Sequence, residues 1–124
     1  MKPSIQSITI KAAKGSKFPR FRHACTIESG GKVLAAGVNT VKPRTPNSSF
    51  STHAEIQSLK RLMTILIRQG KRGTFELYVA RVDTSDQIAF SKPCPKCLEA
   101  IKNSGVIGLV HYTTGQNGWE SVRI

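Results

Sequence analysis

The sequence predicts an α/β protein in which helices cover both faces of one mixed, five-stranded sheet, a three-layer α/β/α arrangement. Helix-like and strand-like runs alternate along 124 residues, a length suited to a single domain spanning residues 1–124. Only residues 114–118 separate the last two strand-like runs, which is too short a connection for a crossover helix. The last strand should therefore lie antiparallel to its neighbour.

The first part of the chain predicts a helix, a hairpin and a loop. Ser4 is expected to cap a helix that ends at Gly15, although an alternating, strand-like pattern competes with this interpretation. Residues 24–28 and 33–39 flank a Ser-Gly-Gly-Lys turn, so they should pair as antiparallel strands. Two prolines within residues 41–51 then indicate a loop that leads to the next helix.

The clearest predicted element is an amphipathic helix that should stop at Gly70. Apolar residues recur there at steps of three and four: Ile56, Leu59, Leu62, Met63, Leu66 and Ile67. The remaining predicted elements are a strand at 74–82, a short strand at 88–90, a helix from Pro95 to about Gly105, and strands at 106–112 and 119–124.

The composition is that of a basic, globular chain. Nineteen Lys and Arg against seven Asp and Glu give a formal charge of +12. Such a charge favours an anionic partner, such as a nucleotide or polynucleotide, but it also fits a solvated surface that serves solubility. No run approaches the ~20 apolar residues of a membrane span, and residues 1–10 hold no apolar run of signal-peptide length. A cytoplasmic location is the expectation.

A basic stretch precedes the first strand, and two aromatic residues are interleaved with its cations. Its members are Lys11, Lys14, Lys17, Phe18, Arg20, Phe21 and Arg22. This pattern could bind a single nucleic-acid strand or one phosphate, but the two rings could equally be anchored in the core.

Three cysteines cannot all pair with one another. Cys94 and Cys97 form a close pair, and such a pair in a reducing compartment is more often a metal or catalytic site than a disulfide. Cys25 lies in a strand-like run, where a free cysteine usually behaves as a small buried apolar residue, so we assign it no functional role.

Two short segments carry the candidate chemistry, and each lies at the start of a predicted helix. They are His53-Ala54-Glu55 and Pro93-Cys94-Pro95-Lys96-Cys97. Residues three apart share a helix face, so both cysteines can bind one ion, and a helix N-terminus favours the thiolate form. His53, Cys94 and Cys97 would be the three zinc ligands of a catalytic site, in which the fourth position holds water. Glu55 would then move protons.

Each segment also has a structural interpretation. Thr52-His53-Ala54-Glu55 is a Thr-x-x-Glu capping box, in which Glu55 would bond only to a backbone amide. Cys-x-x-Cys could be a redox pair or half of a structural zinc site completed by His23 or His111. The presence of both segments, in this order and at helix starts, favours the catalytic zinc site.

His-x-Glu followed by Pro-Cys-x-x-Cys resembles the zinc-dependent cytidine and deoxycytidylate deaminase superfamily. The likeness spans residues 22–112 and implies a cytidine deaminase-like fold, a Zn²⁺ cofactor and hydrolytic deamination of cytosine to uracil. It implies a nucleoside or nucleotide substrate, with the monophosphate favoured by the charge. Relatives that act on nucleotides and polynucleotides typically have a histidine ligand, as here, but also a helix between the last two strands, which this chain lacks.

Further expectations concern substrate and partners. Gly37-Val38-Asn39 resembles the family's Gly-x-Asn, whose asparagine contacts the sugar, although Asn39 could simply end a strand. Ala54 is a second candidate substrate contact, and Trp119 a third, since its ring could stack on a base or pack at an edge of the domain. The alternative functions are a deaminase of cytosine or adenine in single-stranded RNA or DNA and a non-catalytic, zinc-stabilised nucleic-acid-binding module. A homo-oligomer is expected because relatives often assemble.

Overall fold

The computed structural model describes residues 2–16, 22–41, 51–52, 54–69, 74–115 and 118–124. The helices in these ranges are α1 (Pro3–Lys14), α2 (Ala54–Gln69) and α3 (Pro95–Ser104). The strands are β1 (Arg22–Ser29), β2 (Lys32–Val38), β3 (Thr40–Val41), β4 (Ser51–Thr52), β5 (Phe75–Val82), β6 (Ile88–Ala89), β7 (Ile107–Gly115) and β8 (Gly118–Arg123). None of the helices in these ranges has both the length and the apolar character that a membrane crossing requires.

The main sheet confirms the predicted mixed topology, but it has six strands rather than the predicted five. Its strands run in the order β2-β1-β5-β7-β8, and β6 adds to β5. Among the described pairs, β5 and β7 are parallel and the others antiparallel, including the final pair β7–β8. The strands β3 and β4 form a separate two-stranded ladder. The hairpin β1–β2 and the antiparallel last strand were both predicted correctly.

Helices α2 and α3 pack on one face of the sheet and α1 on the other. The larger core joins α2 and α3 to residues such as Cys25, Ile27 and Val79. The smaller core joins Ala13 of α1 to Ala24, Ala80 and Val82, with Trp119 packed against it. Successive residues of a strand point to opposite faces, so a step of one residue along β1 or β5 decides which core a side chain joins.

The start of α1 differs from the prediction. The cap position is Lys2, which makes no side-chain capping bond, and Pro3 occupies the first helical position. Proline is suited to that position because its fixed φ is helical and its missing N–H would be unpaired there anyway. Ile5, Thr9 and Ala13 form the buried face of α1, whereas Ile8 is 47% exposed.

Helix α2 was predicted correctly, but its buried face is narrower than expected. Leu59, Leu62 and Leu66 are buried, whereas Met63 is 37% exposed and Ile67 is 80% exposed. These two apolar residues follow Leu62 and Leu66 by one position each, so they lie about 100° around the helix from that buried row. The expected stop at Gly70 lies outside the described residues.

Candidate active site

The N-terminus of α3 presents two cysteines. Cys94 is the cap residue, with extended backbone angles φ −65° and ψ 163°, and Pro95 starts the helix as predicted. Cys97 follows in the first turn and is 2% exposed, while Cys94 is half-buried. The helix ends at Gly105, whose φ of 70° is the left-handed conformation typical of a glycine stop. The unpaired amides of a helix N-terminus make this end electropositive, which suits a pair of thiol ligands.

The carboxyl group of Glu55 lies against this pair. Burial raises the pKa of the Cys97 thiol well above its ordinary value, and the neighbouring Glu55 carboxylate and Cys94 thiol raise it further through charge and hydrogen bonding. Glu55 is itself only 4% exposed, on the first turn of α2. The structure therefore brings together Glu55, Cys94 and Cys97 where the N-termini of two helices meet.

The donor set fits zinc as far as the described residues extend. Among the described residues, no third His, Cys, Asp or Glu side chain completes with Cys94 and Cys97 a group that could hold a metal ion. Cys94 and Cys97 provide two thiols in contact with each other, and soft thiolate is a preferred zinc ligand. Coordination to a divalent cation deprotonates a thiol, which offsets the raised pKa of buried Cys97. The third predicted ligand, His53, lies outside the described residues.

The described elements on either side of residue 53 are β4 and α2. Thr40 pairs with Thr52 across the β3–β4 ladder, so the chain segment before His53 runs beside the segment after Asn39. Ala54 is completely buried at the start of α2, and its carbonyl oxygen lies against Gly37 of β2. The side chain of Thr52, which the capping-box interpretation requires, is not described.

Asn39 is fixed beside the start of α2. It is 5% exposed, and its Oδ1 accepts hydrogen bonds from the His23 backbone N–H and the Ser16 hydroxyl, each at 2.9 Å. These two bonds set the orientation of the amide group, whose NH₂ end points away from the donors.

Comparison with known families settles the class of protein. The family profile described as "Cytidine and deoxycytidylate deaminase zinc-binding region" matches residues 4–114. This chain belongs to that family. The family profile also covers α1, which the resemblance over residues 22–112 did not include.

Solved structures of deaminases have the same fold. The dCMP deaminase from the cyanophage S-TIM5, in apo form, superposes with a TM-score of 0.62 at 22% identity, over 94% of this chain and 88% of that chain. The cytidine deaminase from Burkholderia pseudomallei gives 0.63 at 19% identity, over 99% of this chain and 93% of that chain. No curated protein matches the sequence significantly. At these identities the likeness confirms the predicted cytidine deaminase fold.

Trp119 does not join the deaminase site. Its ring packs edge-on against Tyr78, with the centroids 6.0 Å apart, on the face of the sheet that α1 covers. Glu55 and Cys97 lie on the other face, with α2 and α3. Of the two roles considered for Trp119, stacking on a base or packing at an edge, this position favours packing, because the sheet lies between the ring and Glu55 and Cys97.

The remaining candidates have structural partners or are not described. His111 bonds to Glu76 through Nε2 at 2.7 Å and to Ser121 through Nδ1, on the face that α1 covers, so it is not placed to complete a zinc site with the cysteines. In the basic stretch, Arg22 bonds to Asp86 and to the Asp83 carbonyl. Residues 17–21, including both phenylalanines, lie outside the described residues.

Ser91 supports the site and was missed from the sequence. Its hydroxyl donates to the Val79 carbonyl at 2.9 Å, and its N–H donates to the Thr113 carbonyl at 2.9 Å. These bonds attach the loop before Pro93 to β5 and β7, and they fix the approach to Cys94. A single loop serine carries no periodicity or spacing that could have indicated this role.

Proposed function

We propose that this deaminase-family chain catalyses the zinc-dependent hydrolytic deamination of cytosine to uracil in a small nucleoside or nucleotide, with (deoxy)cytidine monophosphate favoured. One observation carries the proposal: the carboxyl group of Glu55 lies against Cys97 where the N-termini of α2 and α3 meet. Family membership supports the same chemistry.

Cys94, Cys97 and His53 would hold the zinc ion. When bound, zinc would act as a Lewis acid and lower the pKa of a water molecule to near neutrality. Glu55 stands beside the two cysteines, and its burial keeps the carboxylate in a place of low dielectric where hydrogen bonds are strong.

The reaction exchanges an amine for an oxygen at C4 of cytosine. One water molecule is consumed and one ammonia is released, so protons must move from the water to the ring nitrogen and to the departing amine. The Glu55 carboxylate accepts the first proton and delivers it, because a single carboxyl group can serve as base and then as acid. Its removal should stop turnover without removing the zinc ligands.

Substrate contacts are proposed at the entrance to the site. The side chain of Asn39, whose Oδ1 accepts bonds from His23 and Ser16, would bond to a sugar hydroxyl. The backbone of Ala54 would bond to the base, because this residue starts α2 beside Glu55. The charge of +12 favours a substrate that carries phosphate.

The first experiment tests catalysis with two glutamates. Zinc-loaded wild type, Glu55→Gln and Glu99→Gln are compared for ammonia release and for bound zinc. Glu99 is an exposed residue of α3, so its variant controls for the loss of one surface charge. We expect Glu55→Gln to lose at least ~10³-fold in kcat with zinc retained, and Glu99→Gln to match wild type. Unchanged turnover in Glu55→Gln would contradict the proposed mechanism.

The second experiment identifies the substrate class. Ammonia release is followed with cytidine, deoxycytidine, their monophosphates, and single-stranded RNA and DNA oligonucleotides that contain cytosine or adenine. Turnover of monophosphates or nucleosides is expected. Turnover of oligonucleotides alone would replace this proposal by the polynucleotide deaminase, and no turnover of any substrate would favour the non-catalytic module. Binding to oligonucleotides without turnover carries no weight, because a strongly basic protein binds polyanions at low salt.

A further inference from the structure

The first turn of α2 lies directly on the backbone of β2. A Cβ atom built on Gly37 would be 2.8 Å from the Ala54 carbonyl oxygen and 3.0 Å from the Ser58 backbone nitrogen. Both neighbours are backbone atoms of the helix, which cannot turn aside as the end of a flexible side chain can. Glycine at position 37 thus permits an approach between strand and helix that any larger residue would prevent.

A side chain of the same turn bonds to the outer edge of β2. In the described sheet β2 has β1 on one side only, and the Val38 N–H donates to Gln57 Oε1 at 3.0 Å. One turn further along α2, Arg61 Nη1 donates to the Ala36 carbonyl at 2.5 Å. The two side chains satisfy backbone groups that a further strand would otherwise pair. Gln57 follows Glu55 by two residues and Arg61 follows it by six.

A buried pair of hydroxyl and thiol joins the same turn to β1. Ser58 is fully buried, and its Oγ lies 3.0 Å from Cys25 Sγ and 3.0 Å from the Glu55 carbonyl oxygen. Burial, and then the nearby Glu55 carboxylate, raise the pKa of Cys25, so this thiol keeps its proton. The Ser58 hydroxyl is placed to donate to Cys25 Sγ and to the Glu55 carbonyl oxygen, while Cys25 Sγ can donate to the Thr26 carbonyl oxygen 4.0 Å away.

We propose that Cys25, Gly37, Gln57 and Ser58 are positioning residues that hold the first turn of α2, and through it the carboxylate of Glu55, against the Cys94–Cys97 pair. This inference rests on the proposed deaminase function. None of the four needs to touch the substrate. A displacement of about 1 Å at a catalytic group can lower the rate by ~10²-fold, so small changes in these contacts should act on turnover.

Gln57 and Arg61 provide a matched pair of variants. Both bond to the exposed edge of β2, and both can be replaced by methionine, which keeps a long side chain and removes the bond. We expect Gln57→Met to lower kcat at least ~10-fold with KM and bound zinc unchanged, because its bond lies in the turn that carries Glu55. Arg61→Met, one turn away, should keep kcat within ~2-fold of wild type. Equal kcat in the two variants would overturn the proposal.

The role of the buried Cys25–Ser58 pair is tested by comparing its variants with one that removes a control hydroxyl on the other face of the sheet. Ser58→Ala removes the link between Cys25 and Glu55, whereas Thr26→Val removes a buried hydroxyl that bonds to Thr9 at 2.7 Å beneath α1. Both variants should lower stability, but only Ser58→Ala should lower kcat. Cys25→Ser retains an acceptor for the Ser58 hydroxyl and should restore turnover relative to Cys25→Ala. Wild-type kcat in Ser58→Ala would contradict the positioning role.

Hydrogen exchange separates failure of this inference from failure of the proposed function. In Gln57→Met, the amides in the first turn of α2 should exchange at least ~10-fold faster than in wild type, while those of β5 should not change. Arg61→Met should leave the first turn protected. If wild type deaminates no substrate but this exchange pattern is found, the proposed function fails and the positioning stands. Unchanged exchange in Gln57→Met would overturn the positioning whatever the activity.

Discussion

Gly37 of β2 and Ala54 of α2 lie so close together that a Cβ atom at position 37 would stand 2.8 Å from the Ala54 carbonyl oxygen. This close approach links the Gly37-Val38-Asn39 segment, which resembles the family's Gly-x-Asn, to the helix that carries Glu55. The glycine of Gly37-Val38-Asn39 therefore has a packing role of its own. The same segment ends at Asn39, whose side chain is fixed by His23 and Ser16.

Gly37→Ala should damage the site more than the fold. The added methyl group must push the first turn of α2 away from β2, and overpacking of this kind costs about 1–3 kcal/mol in the free energy of unfolding. We expect kcat to fall at least ~10-fold, since Glu55 moves with that turn. Activity and thermal unfolding are measured together.

Gly15→Ala is the control for that variant. Gly15 has a negative φ of −83°, and a Cβ there would be 3.4 Å from the Ala12 carbonyl oxygen, which is an ordinary van der Waals contact. Its substitution should leave kcat unchanged. A Gly37→Ala variant as active as Gly15→Ala would show that the close contact does not control the position of Glu55.

The three cysteines should differ in reactivity when zinc is removed. Cys94 is half-buried, whereas Cys25 is fully buried and Cys97 is 2% exposed with a raised pKa. A disulfide reagent at pH 8 should modify Cys94 first, because the thiolate is the reactive form and must be accessible. Added zinc should suppress this fast phase, and Cys94→Ser should abolish it. A fast phase that persists in Cys94→Ser would assign it to another cysteine.

Acid should weaken the contact between β5 and β7. A hydrogen bond from His111 is the main cause that lowers the pKa of Glu76 below its ordinary value of 4.5, and Lys2, 4.0 Å away, adds a smaller charge effect. The folded state therefore binds this proton less readily than the unfolded state. The stabilisation that the Glu76 carboxylate provides is complete above its ordinary pKa, which is that of the unfolded state. It is lost as the pH falls from there through the lower pKa of the folded state.

Urea unfolding at several pH values tests the direction of this pH dependence. The difference in unfolding free energy between wild type and Glu76→Gln should be largest near pH 7 and should shrink below about pH 4.5. The effect should be small, because the Glu76 side chain is 34% exposed and solvent screens it. A difference that grows on acidification would contradict the assignment to Glu76.

Trp119→Phe should leave substrate binding unchanged. The ring of Trp119 contacts Tyr78 on the face of the sheet opposite to Glu55, so its loss removes packing rather than a substrate contact. We expect KM within ~2-fold of wild type and a loss of about 1 kcal/mol in the free energy of unfolding. Steady-state kinetics and urea unfolding measure the two effects. A large rise in KM with unchanged stability would instead indicate that Trp119 contacts the substrate.

Local patterns in the sequence predicted most of the fold. The spacing of leucines predicted α2, Pro95 and Gly105 marked the ends of α3, and the short connection at residues 114–118 required an antiparallel last strand. These signals are local because each depends on residues within one element or one turn. Periodicity gave a broader buried face for α2 than the structure has, since exposure of Met63 and Ile67 depends on which side of the helix lies on the sheet.

For the site, the sequence by itself determined which residue types are present and that Cys94 and Cys97 share one helix face, because a spacing of three residues fixes that geometry. Only the tertiary structure decided that Glu55 meets those cysteines, that Trp119 lies on the other face of the sheet, and that Cys25 and Ser58 support the turn between. These contacts join elements far apart in the chain. They depend on which face each strand turns towards each helix, and no local spacing encodes that choice.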